Sequence, residues 1–124
     1  MPQAAPDIQV KRIYDPPGPK DGARVLVDRL WPRGARREET KLTLWLKDIA
    51  PSAELRRWFG HDPARFAEFS RRYRAELSAN KDVVSRMDDL LKAGPVTLLY
   101  AAHDTEHNHA RVLTDYLMAR AIGA

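Results

Sequence analysis

The run Val96-Thr97-Leu98-Leu99-Tyr100-Ala101-Ala102 limits the possible folds of this chain more than any other stretch. Gly94-Pro95 stops whatever precedes it, and the polar His103-Asp104 follows. Seven residues, apolar except for one threonine, do not alternate in polarity. A run of that kind suits a central strand covered on both faces, as in parallel sheets. It falls far short of the roughly 20 residues that cross a bilayer, and no other apolar run approaches that length. The chain must therefore supply packing layers around this strand.

Two earlier segments read as its partners. Residues 8–14 form a short strand in which Ile8 and Val10 alternate with polar neighbours. Residues 15–22 hold three prolines and two glycines and read as a stiff loop. Residues 24–30 form the second strand, and 31–40 an irregular basic segment. Leu42, Trp45, Leu46 and Ile49 have helical spacing, so 42–49 reads as a short helix. Ser52, with Glu54 in the first turn, caps a helix running to about Phe59. Asp62-Pro63 starts a longer helix, with Phe66, Phe69, Tyr73 and Leu77 on one stripe. On its outer face, Glu68 with Arg72 and Arg72 with Glu76 are i,i+4 pairs. Another helix, about 81–93, places Val83, Val84, Met87, Leu90 and Leu91 and ends at Gly94-Pro95. Asp104 or Thr105 is positioned to cap a last helix reaching about Ala121, with Ala110, Leu113 and Leu117 inward. The long helical crossover between the second and third strands implies parallel pairing. The expected fold is α/β: a small, mainly parallel sheet of about three strands flanked by helices. It forms one compact domain over residues 8–124, after a loose start at 1–7.

Composition excludes several chemistries. With no cysteine there is no disulfide, thiolate nucleophile or cysteine-ligated zinc, which fits a cytoplasmic protein. The first residues lack the basic start and apolar core of a signal peptide. The net charge is +4, and arginine outnumbers lysine fifteen to six. Arginine's planar fork suits phosphate and carboxylate. The cations are scattered rather than gathered in a tail, so nucleic-acid contact is permitted but not required.

Two groups of residues carry chemistry. The first is Arg24-Val25-Leu26-Val27-Asp28-Arg29-Leu30-Trp31-Pro32-Arg33-Gly34, a strand that runs into a charged and aromatic end. Ligands of open α/β sheets sit at such ends. Asp28 is a candidate base or anchor for a sugar hydroxyl, or else a structural partner of Arg29 or Arg24. Arg33 is a candidate phosphate clamp, with Arg29 beside it. Trp31 either stacks on a ligand ring or plugs the sheet edge. The second group is His103-Asp104-Thr105-Glu106-His107-Asn108-His109-Ala110. Its H-x3-H-x-H spacing does not converge on a metal by itself, because His107 and His109 diverge on a helix. A helix start after a buried strand is instead suited to an anion, with Asn108 and His109 orienting or protonating it. His61, before Asp62-Pro63, is either turn chemistry or a proton donor. No phosphate-loop or nucleophile-elbow pattern is present.

The strand-end motif, Ala50-Pro51-Ser52 with Leu55-Arg56, and the 96–102 run with Asn108-His109-Ala110 together resemble the YeaO-like family of bacterial proteins of unknown function. The resemblance covers about residues 8–118. It implies a compact cytoplasmic α/β domain with no assigned chemistry. The family's last motif falls on Asn108, His109 and Ala110, leaving out His103 and His107. The strand-end motif is matched without departure at Asp28, Arg29, Trp31, Pro32, Arg33 and Gly34.

The residues favour an anionic small-molecule site, for a nucleotide or sugar phosphate. Asp28 and His109 are its candidate acid–base groups, and Arg29, Trp31, Arg33 and Asn108 its ligand contacts. The residues permit an enzymatic site but supply no covalent nucleophile; no cofactor, metal site or membrane contact is implied. The competing classes are a nucleic-acid-associated module, a metal-dependent hydrolase built on His103, His107, His109 and Asp28, and a scaffold without chemistry.

Overall fold

The computed structural model describes residues 6–123; residues 1–5 of the expected loose start, and residue 124, lie outside them. A four-stranded sheet has the order β1-β4-β2-β3, with β1 Ile8–Arg12, β2 Ala23–Leu26, β3 Leu44–Trp45 and β4 Val96–Tyr100. Every pairing is parallel. The helices are α1 Arg37–Thr40, α2 Ala53–Phe59, α3 Phe66–Ala79, α4 Lys81–Ala93 and α5 His109–Gly123.

The apolar run does form the central strand. All five residues of β4 are buried. Val96, Leu98 and Tyr100 point into the large core built with Phe69, Tyr73, Met87, Leu113 and Leu117 from α3, α4 and α5. Leu99 points the other way, onto a smaller cluster with Ile13 and Leu26. Trp31, Ala35, Leu42 and Trp45 cover that cluster, so the strap between β2 and β3 replaces a helical layer on this face. The alternation of faces along β2 and β4 follows from the two-residue repeat of a strand.

Local signals set most helix boundaries. Ser52 Oγ accepts the Leu55 N–H at 3.1 Å and caps α2. Asp62 accepts the Ala64 N–H, and Pro63 opens the turn that leads into α3. Three expectations are corrected. Residues 42–49 are not a helix: Leu44 and Trp45 pair with Val25 and Leu26 as a fourth strand, and only Lys47–Ile49 makes a 3-10 turn. The Leu46 N–H donates to the Leu26 carbonyl, and sheet pairing of this kind outweighs helical spacing in so short a segment. The cap of α5 is Asn108, whose Oδ1 accepts the Arg111 N–H at 3.1 Å. Asp104 instead closes the preceding turn on the N–H groups of Glu106 and His107. Lastly, Arg72 does pair with Glu68, but Glu76 turns inward and accepts both the Ser52 N–H (2.8 Å) and hydroxyl (2.6 Å). That contact ties the start of α2 to α3.

No helix among the described residues is long and apolar enough to cross a membrane.

Candidate functional site

β2 and β4 are parallel neighbours, so their C-terminal ends open on one edge of the sheet. Asp28 sits two residues past β2 and joins the two ends: its Oδ2 accepts the Ala101 N–H at 3.1 Å. Its carbonyl accepts Trp45 Nε1–H at 2.7 Å. His109, the first residue of α5, brings Nε2 to 3.0 Å from Asp28 Oδ1 and 3.1 Å from the Val27 carbonyl. Both neighbours are acceptors, so the hydrogen-bond network places a proton on Nε2. That proton is directed to the Val27 carbonyl, and buried Asp28 Oδ1 has no aligned donor. Tyr73 backs the imidazole, edge to face at 6.4 Å between ring centres. Burial pushes the Tyr73 phenol well above its usual pKa, and the carboxylates of Glu76 and Asp28 add to the shift.

The pair lies on the wall of a cavity of about 760 Å³. Arg29 reaches across to the carbonyls of Pro51 and Ala50 at 3.4 and 3.3 Å, long contacts that satisfy it weakly. Arg56 and Arg57 on α2 also line the cavity, and Arg56 Nε is buried without a hydrogen-bond partner among the described residues. Among the described residues, none of these three arginines has a carboxylate within 4.0 Å. Each of the cavity's acids has an imidazole beside it: Asp28 has His109 Nε2 at 3.0 Å, and Asp104 has His107 Nδ1 at 2.9 Å. The His107 and Glu106 N–H groups hold the Asp104 carboxyl below its ordinary pKa. The rest of the wall is largely apolar, with Leu30, Pro51, Phe59, Phe69, Ala101 and Ala102. Gly60 and then His61, at φ 55° and 57°, turn the chain sharply after α2, and His61 joins the lining.

The structure therefore gathers Asp28, Arg29, Asn108 and His109, although both ends of the Asn108 amide serve the start of α5. It does not gather Trp31 and Arg33. Trp31 lies in the strap, its Nε1–H on the Ala35 carbonyl, its ring 5.4 Å from Trp45 and covered by Arg37. Arg33 is exposed beyond it, and its carbonyl accepts the Tyr14 hydroxyl. Nor do Arg24 or Arg29 pair with Asp28: Arg24 is bound to Asp21. His103, His107 and His109 form no convergent metal-binding group among the described residues. Sequence reasoning passed over Arg56 and Arg57 as cavity residues. For Arg56 a signal existed: it has no acid three or four residues away to pair with on its helix.

The family model described as "Inactive DUF488-N3 subclade" matches residues 7–122. "Uncharacterized protein YeaO" of Escherichia coli (strain K12) is 47% identical over 111 residues, 90% of this chain and 96% of the relative. "Uncharacterized protein Mb3100c" of Mycobacterium bovis is 41% identical over 113 residues, 91% of this chain and 95% of its own length. "Uncharacterized protein Rv3073c" of Mycobacterium tuberculosis matches to the same extent, 41% over 113 residues, with the same coverage of 91% and 95%. No solved structure matches the chain significantly.

Proposed function

This chain belongs to the YeaO-like family, within the branch described as the inactive DUF488-N3 subclade, and from that premise we propose that it binds an anionic phosphate ester in the cavity at the ends of β2 and β4. The observation that carries this reading is that Arg29, Arg56 and Arg57 line one cavity with no carboxylate partner among the described residues. Arginine forks without acidic partners are suited to a phosphate group. The anion contact expected of Arg33 therefore passes to the arginines of α2. Asp28 and His109 add an acceptor and an imidazole beside the charge, suited to hydroxyl groups of a nucleotide or sugar phosphate.

The word "inactive" in the family's description favours binding without turnover. His109 Nε2 already lies against two acceptors, the Val27 carbonyl at 3.1 Å and Asp28 Oδ1 at 3.0 Å. In this reading the two residues hold the ligand rather than exchange protons with it. A small molecule is preferred to a nucleic acid because these arginines lie in a cavity, while the ring of Trp31 already carries Arg37.

Thermal unfolding with millimolar ribose 5-phosphate, pyrophosphate and nucleoside monophosphates tests the proposal. A ligand at a hundred times its Kd stabilises by about 2.7 kcal/mol. At least one phosphate ester should raise the Tm, and Arg56→Ala should abolish the rise while keeping the wild-type circular dichroism. If no phosphate ester shifts the wild-type Tm, the reading is wrong.

A further inference from the structure

Resting on that phosphate site, we infer that the ligand carries a flat ring beside its phosphate: the cavity is built for a nucleoside 5′-monophosphate rather than a bare sugar phosphate. A cavity of about 760 Å³ lies within the range of ~300–1,000 Å³ that encloses ligands of drug size. A pentose phosphate fills only part of such a space. The lining offers both kinds of chemistry. The arginines supply positive charge, whereas Pro51, Phe59 and Ala102 present apolar surface.

The most telling residue is Leu30, which lines the cavity yet is 68% exposed. Its side chain offers apolar surface that a bound ring can cover. The hydroxyls of a sugar cannot cover it without giving up their own hydration. A nucleobase can, because its faces are apolar and its polar groups lie at the edges. The ribose of such a ligand lies between ring and phosphate and so can meet the acceptor of Asp28. Covering on the order of 60 Å² of ring at the usual apolar coefficient corresponds to about tenfold in affinity.

Titration calorimetry on the full chain decides the matter, using ribose 5-phosphate, the four ribonucleoside 5′-monophosphates and the four nucleosides. At least one monophosphate should bind about tenfold more tightly than ribose 5-phosphate, and its nucleoside more weakly than the monophosphate. Leu30→Ser, a change at an exposed position, should cut the monophosphate advantage about threefold and leave ribose 5-phosphate unaltered. If ribose 5-phosphate binds as tightly as every monophosphate, the ring is refuted and the phosphate site stands. An advantage untouched by Leu30→Ser refutes the placement of the ring. If no phosphate ester binds at all, the phosphate site itself fails, and this inference with it.

Discussion

Replacing Asp21 by Asn should lower stability more than most single changes in this protein. Asp21 and Arg24 are each only 3% exposed and form an ion pair. Lys11 Nζ lies 2.7 Å from the same carboxylate, and the Gly18 N–H donates to it at 2.9 Å. Burial alone would raise the Asp21 pKa, but the hydrogen bonds from Lys11, the Gly18 backbone and Arg24 outweigh it and hold the carboxyl at about 2. The amide keeps the shape and removes the charge. Lys11 can turn to water, but the Arg24 guanidinium stays buried without a counterion. Removing one partner of a buried pair costs about 3–5 kcal/mol.

A second route gives a similar size for the effect. A folded pKa near 2 against an ordinary 3.8 corresponds to about 2 kcal/mol. Because the folded value is the lower one, this stabilisation is present above about pH 4 and is lost as the pH falls towards 2. With unfolding entropy near 2.1 cal/mol/K per residue, a loss of about 3 kcal/mol in 124 residues lowers the Tm by on the order of 10 °C. Urea unfolding of wild type and Asp21→Asn at neutral pH, repeated across the acid range, measures both. The gap at neutral pH should be about 3 kcal/mol and should narrow by about 2 kcal/mol below pH 4. A neutral-pH gap under about 1 kcal/mol, or one that does not narrow with acid, refutes the reasoning.

Two further changes probe the frame of the cavity. Gly22 has φ +64°, and a methyl group there would fall 2.1 Å from the Pro95 carbonyl oxygen, where β2 and β4 begin to pair. Gly22→Ala should therefore cost about 2 kcal/mol or more, seen as a lower midpoint in urea. Tyr73→Phe removes the buried hydroxyl that donates to the Ile49 carbonyl at 2.6 Å and should cost about 1–3 kcal/mol. Near-native ligand affinity in Tyr73→Phe would show that the hydroxyl supports packing and not the ligand.

What could be read from the sequence was mostly local. Ser52 and Gly94-Pro95 mark their boundaries through groups a few residues away, and the structure places those boundaries as expected; Asp62 caps the 3-10 turn Pro63–Arg65, and α3 itself begins at Phe66. The central strand was legible because an unbroken apolar run has few other uses. β3 was not, since two residues become a strand only by meeting Val25 and Leu26. Glu76 has an arginine at helical spacing, yet its carboxylate goes to Ser52, 24 residues away. The cavity mixed the two cases. Asp28 and His109 stand at the ends of predicted elements whose parallel pairing brings them together, whereas Arg56 and Arg57 join them only through the way α2 is tethered to α3.

That mixture decides which residues can report on the ligand. Asp28 accepts the Ala101 N–H, takes the Trp45 indole proton on its carbonyl and stands 3.0 Å from His109. Its carboxylate is thus part of how the sheet ends are joined. Asp28→Ala would leave the part-buried Ala101 N–H without its acceptor, so a loss of binding in that variant would also report a loosened frame. Asp28→Asn keeps an acceptor for Ala101 and removes the charge beside His109. Among the described residues Arg56 and Arg57 form no ion pair, so their truncation removes charge from the cavity while leaving the carboxylates where they are. Arg29 is intermediate, because its long contacts to Ala50 and Pro51 brace the entry to α2. Binding data from α2 variants therefore bear on the ligand, and data from Asp28 variants bear on it only once their stability has been measured.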